Sequence, residues 1–198
     1  IVFLLLLAGP AVKAGLMPFH GWLPSAMVAP TPVSALLHAV AVVKAGCFGI
    51  IRMVGYVFGP ATMQAIGMDT FLVAIASFTI ITASVIALTQ NHLKQRLAFS
   101  TISQLSYIVL GIGLMNPMTM PAGIFHLFAH GMMKITLFFT AGAIYTKTHD
   151  LRINMLSGLG RVMPFTFTAY TICSLGIAGM PFTVGFISKW NILMGAVE

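Results

Sequence analysis

The sequence predicts an all-α, polytopic transmembrane helix bundle of about six helices, two of them discontinuous. Hydrophobic residues make up 59% of the 198 residues and charged residues only 7%, whereas a soluble domain carries roughly 25% charged residues. The mean hydropathy is +1.00, and most apolar blocks approach the ~20 residues that a helix needs to cross a bilayer. Membrane strands would be about half that length with strict alternation. The chain is therefore expected to cross a membrane as helices.

Six apolar blocks are separated by turn residues, and we treat them as one transmembrane domain over residues 1–198. The chain is already apolar at Ile1 and stops at Glu198 directly after another apolar stretch, so we expect a fragment of a longer chain. The first and last blocks are expected to be incomplete or broken. The predicted helices lie approximately at 1–16, 34–56, 71–88, 97–115, 120–145 and 163–194, the last broken near 181–185.

Two blocks carry a similar interruption. Leu16-Met17-Pro18-Phe19-His20-Gly21 breaks the first block, and Gly179-Met180-Pro181-Phe182-Thr183-Val184-Gly185 breaks the last. Proline removes a helix hydrogen bond and glycine loosens the backbone, so both helices are expected to be discontinuous. Paired interruptions are typical of transporters built from inverted repeats, in which unwound backbone lines the ion site.

Four lysines lie inside or at the edge of apolar blocks: Lys13, Lys44, Lys134 and Lys189. A lysine near the middle of a membrane helix costs roughly 2.5–3.5 kcal/mol, so such residues usually have a functional role. The simplest role is moving charge across the membrane. The three acidic residues lie in loops or at the terminus: Asp69, Asp150 and Glu198. We therefore expect these lysines either to be neutral part of the time or to find carboxylate partners outside this sequence.

The fifth block places three titratable groups in register. His126, His130 and Lys134 recur every four residues, which lays them on one helical face over roughly 12 Å of rise. A lone histidine is usually an ordinary core residue, but three groups in register indicate a relay that exchanges protons near neutral pH. In the second block, Lys44 lies about 120° round the helix from His38, so no direct contact between them is predicted.

Two further features of the apolar blocks are less specific. The hydroxyl and amide side chains of residues 100–107 suit either water beside a pathway or ordinary helix packing. Cys47 and Cys173 lie 126 residues apart in apolar segments, without a second thiol to form a metal or redox pair. No metal site is expected.

The basic residues indicate a membrane orientation and argue against a nucleic-acid partner. The formal net charge is +7, but the bases are scattered singly and form no stripe interleaved with aromatic residues. Loops rich in lysine and arginine tend to face the cytoplasm. The richer side carries Lys94, Arg96, Lys147, Arg152 and Arg161, against Arg52 opposite. We expect a multi-pass protein of the cell (inner) membrane.

Several longer motifs resemble the antiporter-like proton-translocating membrane subunits shared by three kinds of complex. These are respiratory complex I (NADH:quinone oxidoreductase), Mrp-type cation/proton antiporters and membrane-bound hydrogenases. The resemblance spans essentially the whole chain. The matching motifs are PFHGWLPSAM at 18–27, APTPVSALLH at 29–38, LAFSTISQ at 97–104, FHLFAHGMMK at 125–134 and GFISK at 185–189.

The resemblance implies a fourteen-helix type of fold with two inverted five-helix repeats, of which this chain would form helices seven to twelve. Lys13 matches a lysine that pairs with a glutamate on the fifth helix, which this sequence does not contain. Lys44 matches the central lysine of the eighth helix, and Lys189 matches the exit-side lysine of the twelfth. The implied translocation path contains Lys13, His38, Lys44, His126, His130, Lys134 and Lys189.

The implied function is a proton-translocating subunit of a redox-driven complex I-like or hydrogenase-like complex. Such a subunit belongs to a proton-pumping oxidoreductase but has no cofactor or redox site of its own. Its partners would be lipid, other membrane subunits, and missing N-terminal helices that supply a carboxylate. The stretch His92–Arg96 departs from the complex I pattern, so an Mrp-type Na⁺/H⁺ antiporter subunit remains an alternative. A haem protein with transmembrane histidine ligands or a scaffold bundle would leave the four lysines unexplained.

Overall fold

The computed structural model describes residues 1–37 and 41–197. The elements in these ranges are helices joined by turns and short single-turn segments, which confirms the predicted all-α bundle. The helices are α1 (Val2–Ala14), α2 (Trp22–Ser25), α3 (Thr31–Ala35), α4 (Val42–Arg52), α5 (Pro60–Ala65), α6 (Met68–Thr89), α7 (Leu93–Gly113), α8 (Thr119–Thr148), α9 (Leu159–Val162), α10 (Pro164–Ala178) and α11 (Val184–Val197).

The first interruption begins where α1 ends. Gly15 adopts a left-handed conformation with φ of 72°, which glycine tolerates without steric cost and which terminates many helices. The chain then returns through α2, where the Trp22 indole N–H donates to the Val12 carbonyl at 2.8 Å. The same carbonyl also accepts from the Gly15 N–H at 3.1 Å, so the Trp22 side chain adds a second hydrogen bond at the end of the helix. The first predicted break is therefore a helix end followed by a short returning helix.

The second predicted block differs most from its expected bounds of 34–56. Helix α3 starts earlier, at Thr31, with a proline in its first turn, a position where the fixed φ of proline suits a helix start. After α4, the segment Met53–Phe58 continues as a wider π-helical stretch that ends at Gly59. His38 lies outside the described residues.

The longest helices form the middle of the bundle. Helix α7 is buried along most of its length and packs between α6 and α8. Helix α6 presents a row of exposed apolar side chains at helical spacing, including Phe78, Ile81 and Val85. By length and composition, α6 and α8 are long and apolar enough to cross a membrane.

The second interruption separates α10 from α11. Gly179 and Phe182 have positive φ angles of 89° and 69°, which interrupt the helical backbone between the two helices. The half-helices then touch through glycines, because a Cβ built on Gly185 would lie 1.9 Å from the Gly176 carbonyl oxygen. The predicted break near 181–185 thus corresponds to a non-helical segment at 179–183.

Candidate functional site

Close contact between α7 and α8 places two polar helix faces against each other. A Cβ on Gly111 would lie 3.0 Å from the Thr119 carbonyl oxygen and 3.2 Å from the Gly123 Cα. Small residues of this kind let helix backbones approach in membrane bundles. The side chains of α7 and α8 that face each other further along are therefore within hydrogen-bonding reach.

Three polar side chains of α8 form a row that we call the polar row: His126, His130 and Lys134. Lys134 lies at one end of it. Its side chain is fully buried. The ammonium group donates to the Leu97 carbonyl at 3.0 Å and to the Ser100 hydroxyl at 3.0 Å. Both acceptors belong to α7, and neither carries a charge. Lys134 is thus held by neutral oxygens, which suits a group that carries its proton only part of the time.

His130 and His126 continue the row one and two turns away from Lys134. Both rings are fully buried, and they stack with centroids 6.2 Å apart and an interplanar angle of 23°. His130 is close enough to Lys134, Lys44 and Lys189 to interact with each electrostatically. The i, i+4 spacing read from the sequence therefore does bring these three α8 side chains onto one buried face.

His126 is held at both ring nitrogens by residues from two other helices. Its Nδ1 lies 2.7 Å from the Ser188 hydroxyl of α11, and its Nε2 lies 3.2 Å from the Gln104 Oε1 of α7. The amide oxygen can only accept, so this arrangement puts a proton on Nε2. His126 thus connects α7, α8 and α11.

Lys189 lies beside His126 at the interruption between α10 and α11. Its ammonium group donates back across the break to the Ile177 carbonyl and lies 5.0 Å from the centroid of the Tyr107 ring. The Tyr107 ring in turn meets the His126 ring edge-on, with centroids 6.3 Å apart. Lys189 therefore joins the polar row from the opposite end to Lys134.

Two other predicted residues, Lys44 and Lys13, lie on α4 and α1. Lys44 on α4 is half-buried and interacts electrostatically with His130 and Cys47. Lys13 is exposed on the last turn of α1. The two helices that carry these lysines are pressed together, since a Cβ on Gly46 would lie 2.4 Å from the Ala14 nitrogen.

Three partners of the row lie on one face of α7: Ser100, Gln104 and Tyr107. Their spacing of four and three residues is the signal that the hydroxyl-rich stretch 100–107 contained, although sequence alone left packing equally open. Ser106 in the same stretch fits the packing interpretation, because its hydroxyl donates to the Ile102 carbonyl of its own helix. Sequence reasoning did not single out Ser188, which directly precedes Lys189.

A cavity of about 260 Å³ reaches this face of α7. Its polar lining includes Arg96, Ser100, Gln104, Ser174 and Lys189, so it connects the row with the end of α7 at which Arg96 lies. A larger cavity of about 730 Å³ is lined by Lys94 and Tyr145 and contains none of the predicted site residues. Of these two cavities, the smaller one is lined by residues of the site.

Within the described ranges, the lysines of the row have no carboxylate partner, and the ion pair found there joins Asp150 to Arg152 at 2.7 Å. Hydrogen bonds from Arg152 lower the pKa of the Asp150 carboxyl to about 2. Over the same residues, no group of three or more histidine, cysteine or acidic side chains is arranged to hold a metal ion. The row thus consists of cationic, imidazole, hydroxyl and amide groups.

Comparison with known proteins identifies the family. The family described as NADH:quinone oxidoreductase/Mrp antiporter, transmembrane, matches residues 1–198. The chain belongs to this family. It is therefore an integral membrane protein of the antiporter-like type, as the motifs predicted.

Relatives in this family include NADH-ubiquinone oxidoreductase chain 5 of Pongo abelii, which is 41% identical over 93% of this chain. A probable K⁺/H⁺ antiporter protein of Rhizobium meliloti is 38% identical over the whole chain. This chain spans 29% of the length of the first relative and 19% of the second.

Solved structures of family members have the same fold. The Mrp complex from Dietzia sp. DQ12-45-1b matches with a TM-score of 0.87 and 34% identity, over 98% of this chain and 21% of that chain. A chain of an archaeal membrane-bound sulfane sulfur reductase matches with a TM-score of 0.88 and 30% identity, over 99% of this chain and 40% of that chain. The fold is thus found in antiporter and respiratory complexes alike.

Proposed function

We propose that this chain is part of a proton-translocating membrane subunit in a redox-driven, complex I-like or hydrogenase-like complex. Protons pass along the buried row, with Lys44, Lys134 and Lys189 as charge-carrying groups and His126 and His130 between them. Lys13 and His38 belong to the same proposed path. Partner subunits hold the redox sites in this proposal and supply the driving energy.

The observation that carries this proposal is the run of proton-exchanging side chains from the fully buried Lys134, His130 and His126 to the half-buried Lys189. Histidine exchanges protons near neutral pH, and ionisable groups inside a membrane bundle usually mark ion or proton pathways. Neutral oxygens hold Lys134 and Lys189, at Leu97, Ser100 and Ile177. An ammonium held in this way can release its proton without leaving an unpaired carboxylate behind.

We propose that the partners of this chain are other membrane subunits, further helices of its own subunit, and lipid. The exposed position of Lys13 supports the expectation that a helix outside this sequence supplies a carboxylate beside it. The exposed apolar row of α6 suits contact with lipid chains. A cytoplasmic orientation for the arginine- and lysine-rich loops suits the inner cell membrane.

The test is the variant Lys44→Ala in the intact complex, reconstituted into sealed vesicles. We expect electron transfer to continue while proton translocation per electron is lost. The matched control is Lys147→Ala, because Lys147 is an exposed lysine in the last turn of α8. An unchanged number of protons per electron in Lys44→Ala would overturn the proposal.

A second candidate is an Mrp-type Na⁺/H⁺ antiporter subunit. It is favoured by the match to the Dietzia Mrp complex and to the Rhizobium antiporter protein. The same row would then carry protons in exchange for a cation that moves in the opposite direction, and transport would need no electron donor. Sodium-dependent proton movement in vesicles that lack any electron donor supports this candidate, and its absence favours the redox-driven complex.

A further inference from the structure

Ser188 occupies a position between a titratable ring and the start of a helix. Its side chain is fully buried. Its hydroxyl lies 2.7 Å from His126 Nδ1 and 3.1 Å from the Gly185 carbonyl oxygen in the first turn of α11. The same oxygen atom of Ser188 therefore contacts a group that exchanges protons and a group of the backbone.

The hydroxyl cannot donate to both neighbours at once, because it carries a single proton. When His126 is neutral with its proton on Nε2, as the contact to the Gln104 oxygen requires, Nδ1 accepts a hydrogen bond that the Ser188 hydroxyl donates. When His126 gains a second proton on Nδ1, both ring nitrogens donate. The Ser188 oxygen must then accept from the ring, and its own proton turns to the Gly185 carbonyl.

We propose that Ser188 is a positioning residue that couples the protonation of His126 to the first turn of α11. This inference rests on the proposed proton-translocating function. The proton comes from the neighbouring donor of the row, whose bond to that proton breaks as the Nδ1–H bond of His126 forms. The Ser188 hydroxyl rotates and keeps its own proton. Release of the proton from the ring reverses the rotation.

The coupling reaches Lys189 through the backbone. Gly185 precedes Lys189 by four residues, so its carbonyl is the helical partner of the Lys189 N–H. A serine hydroxyl that bonds to a carbonyl one turn earlier weakens and bends the helix at that point. The bend occurs beside the glycine contact between Gly185 and Gly176, where the two half-helices meet. Protonation of His126 thus changes the position of the Lys189 ammonium group relative to the Ile177 carbonyl.

Other titratable groups also face His126 and act on its charge. Within the described residues these are Lys189 on α11, Tyr107 on α7 and His130 on its own helix. A charged Lys189 directly opposes a charged His126. This repulsion depends only on distance. The hydroxyl rotation adds a change at one defined atom, the Gly185 carbonyl oxygen.

The experiment measures the pH profile of proton translocation in the assembled complex with Ser188→Ala. Loss of the hydroxyl removes a charge-assisted hydrogen bond from the protonated ring and a weaker neutral one from the unprotonated ring. The limb on which translocation falls with rising pH is therefore expected to move by about one pH unit to lower pH. Ser188→Cys keeps the volume but offers only a weak donor and acceptor, and it is expected to move the limb about half as far.

Ser106→Ala is the matched control, because Ser106 is a buried helical serine that bonds only within α7 in the described contacts. Its profile is expected to keep the wild-type midpoint. A uniform loss of rate in the Ser188 variants with an unmoved midpoint, or an equal displacement in Ser106→Ala, would overturn the coupling. If Ser188→Ala fails to assemble, the midpoint of Ser188→Cys decides. Absence of proton translocation in the wild-type complex would instead refute the proposed function, and with it the inference.

Discussion

The substitution Gly185→Ala tests how closely the two half-helices must approach for the polar row to work. The added Cβ would lie 1.9 Å from the Gly176 carbonyl oxygen and 3.5 Å from the Met133 methyl carbon. Real Cβ atoms essentially never approach within 3.0 Å of such a neighbour. The obstacle is backbone and cannot rotate away, so α11 must move by about 1.1 Å relative to α10.

That displacement is large compared with the contact it disturbs. Ser188 lies one turn after Gly185 and contacts His126 Nδ1 at 2.7 Å, so a 1.1 Å retreat of α11 can stretch this contact to as much as 3.8 Å. Such a distance is no longer a hydrogen bond. A misplacement of about 1 Å costs on the order of a hundredfold in rate, and overpacking costs about 1–3 kcal/mol of stability.

The assay is proton uptake driven by electron transfer in vesicles that contain the reconstituted complex, with the melting temperature measured in parallel. Gly55→Ala is the control, because a Cβ there meets nothing within 4 Å. We expect the Gly185 variant to lose most of its proton translocation and to melt at a lower temperature. Wild-type proton stoichiometry together with an unchanged melting temperature would refute the reasoning.

Three further predictions follow from other contacts. In Gly46→Ala, the new Cβ would lie 2.4 Å from the Ala14 nitrogen, so the melting temperature should fall by the equivalent of about 1–3 kcal/mol. In Gly49→Ala, the nearest neighbour of the new Cβ is a Pro10 side-chain atom at 3.3 Å, so the melting temperature should fall by less than in Gly46→Ala. Lys134→Met should abolish proton translocation yet melt at or above the wild-type temperature, because it removes a buried charge; a clearly lower melting temperature would contradict this. Hydrogen bonds from Arg152 lower the pKa of Asp150 to about 2, so this carboxylate stabilises the fold above about pH 4 and loses that effect as the pH falls toward 2. The difference in melting temperature between wild type and Asp150→Asn should shrink over that range, and a constant difference would contradict it.

The residues of α8 show how far helical periodicity can predict a site. His126, His130 and Lys134 recur every four residues, and all three are fully buried, as the single-face prediction required. Periodicity describes one helix at a time, so it could not identify partners across helices. Gln104 and Ser188 lie 22 and 62 residues from His126, and only the packing of α7 and α11 brings them to its ring.

The two interruptions were predictable because proline and glycine act locally. Their detailed form was not, since Gly15 ends α1 ahead of Pro18 and the contact between Gly176 and Gly185 depends on tertiary packing. Lys13 illustrates a different limit. Its sequence context indicates a buried charge, but within the described residues it is exposed, and the resemblance assigns its partner to a helix outside this sequence. The roles of the lysines in translocation stay predictions.

Lys189 connects the two half-helices by a side chain where the main chain is irregular. Its ammonium group reaches back over residues 179–183 to the Ile177 carbonyl. Because an amine keeps two N–H donors after it loses a proton, this link can weaken without breaking. If Lys189 releases its proton as proposed, the hydrogen bond that links α11 to α10 is expected to weaken but to persist. The stiffness of the connection between α10 and α11 then varies with the proton occupancy of a single residue.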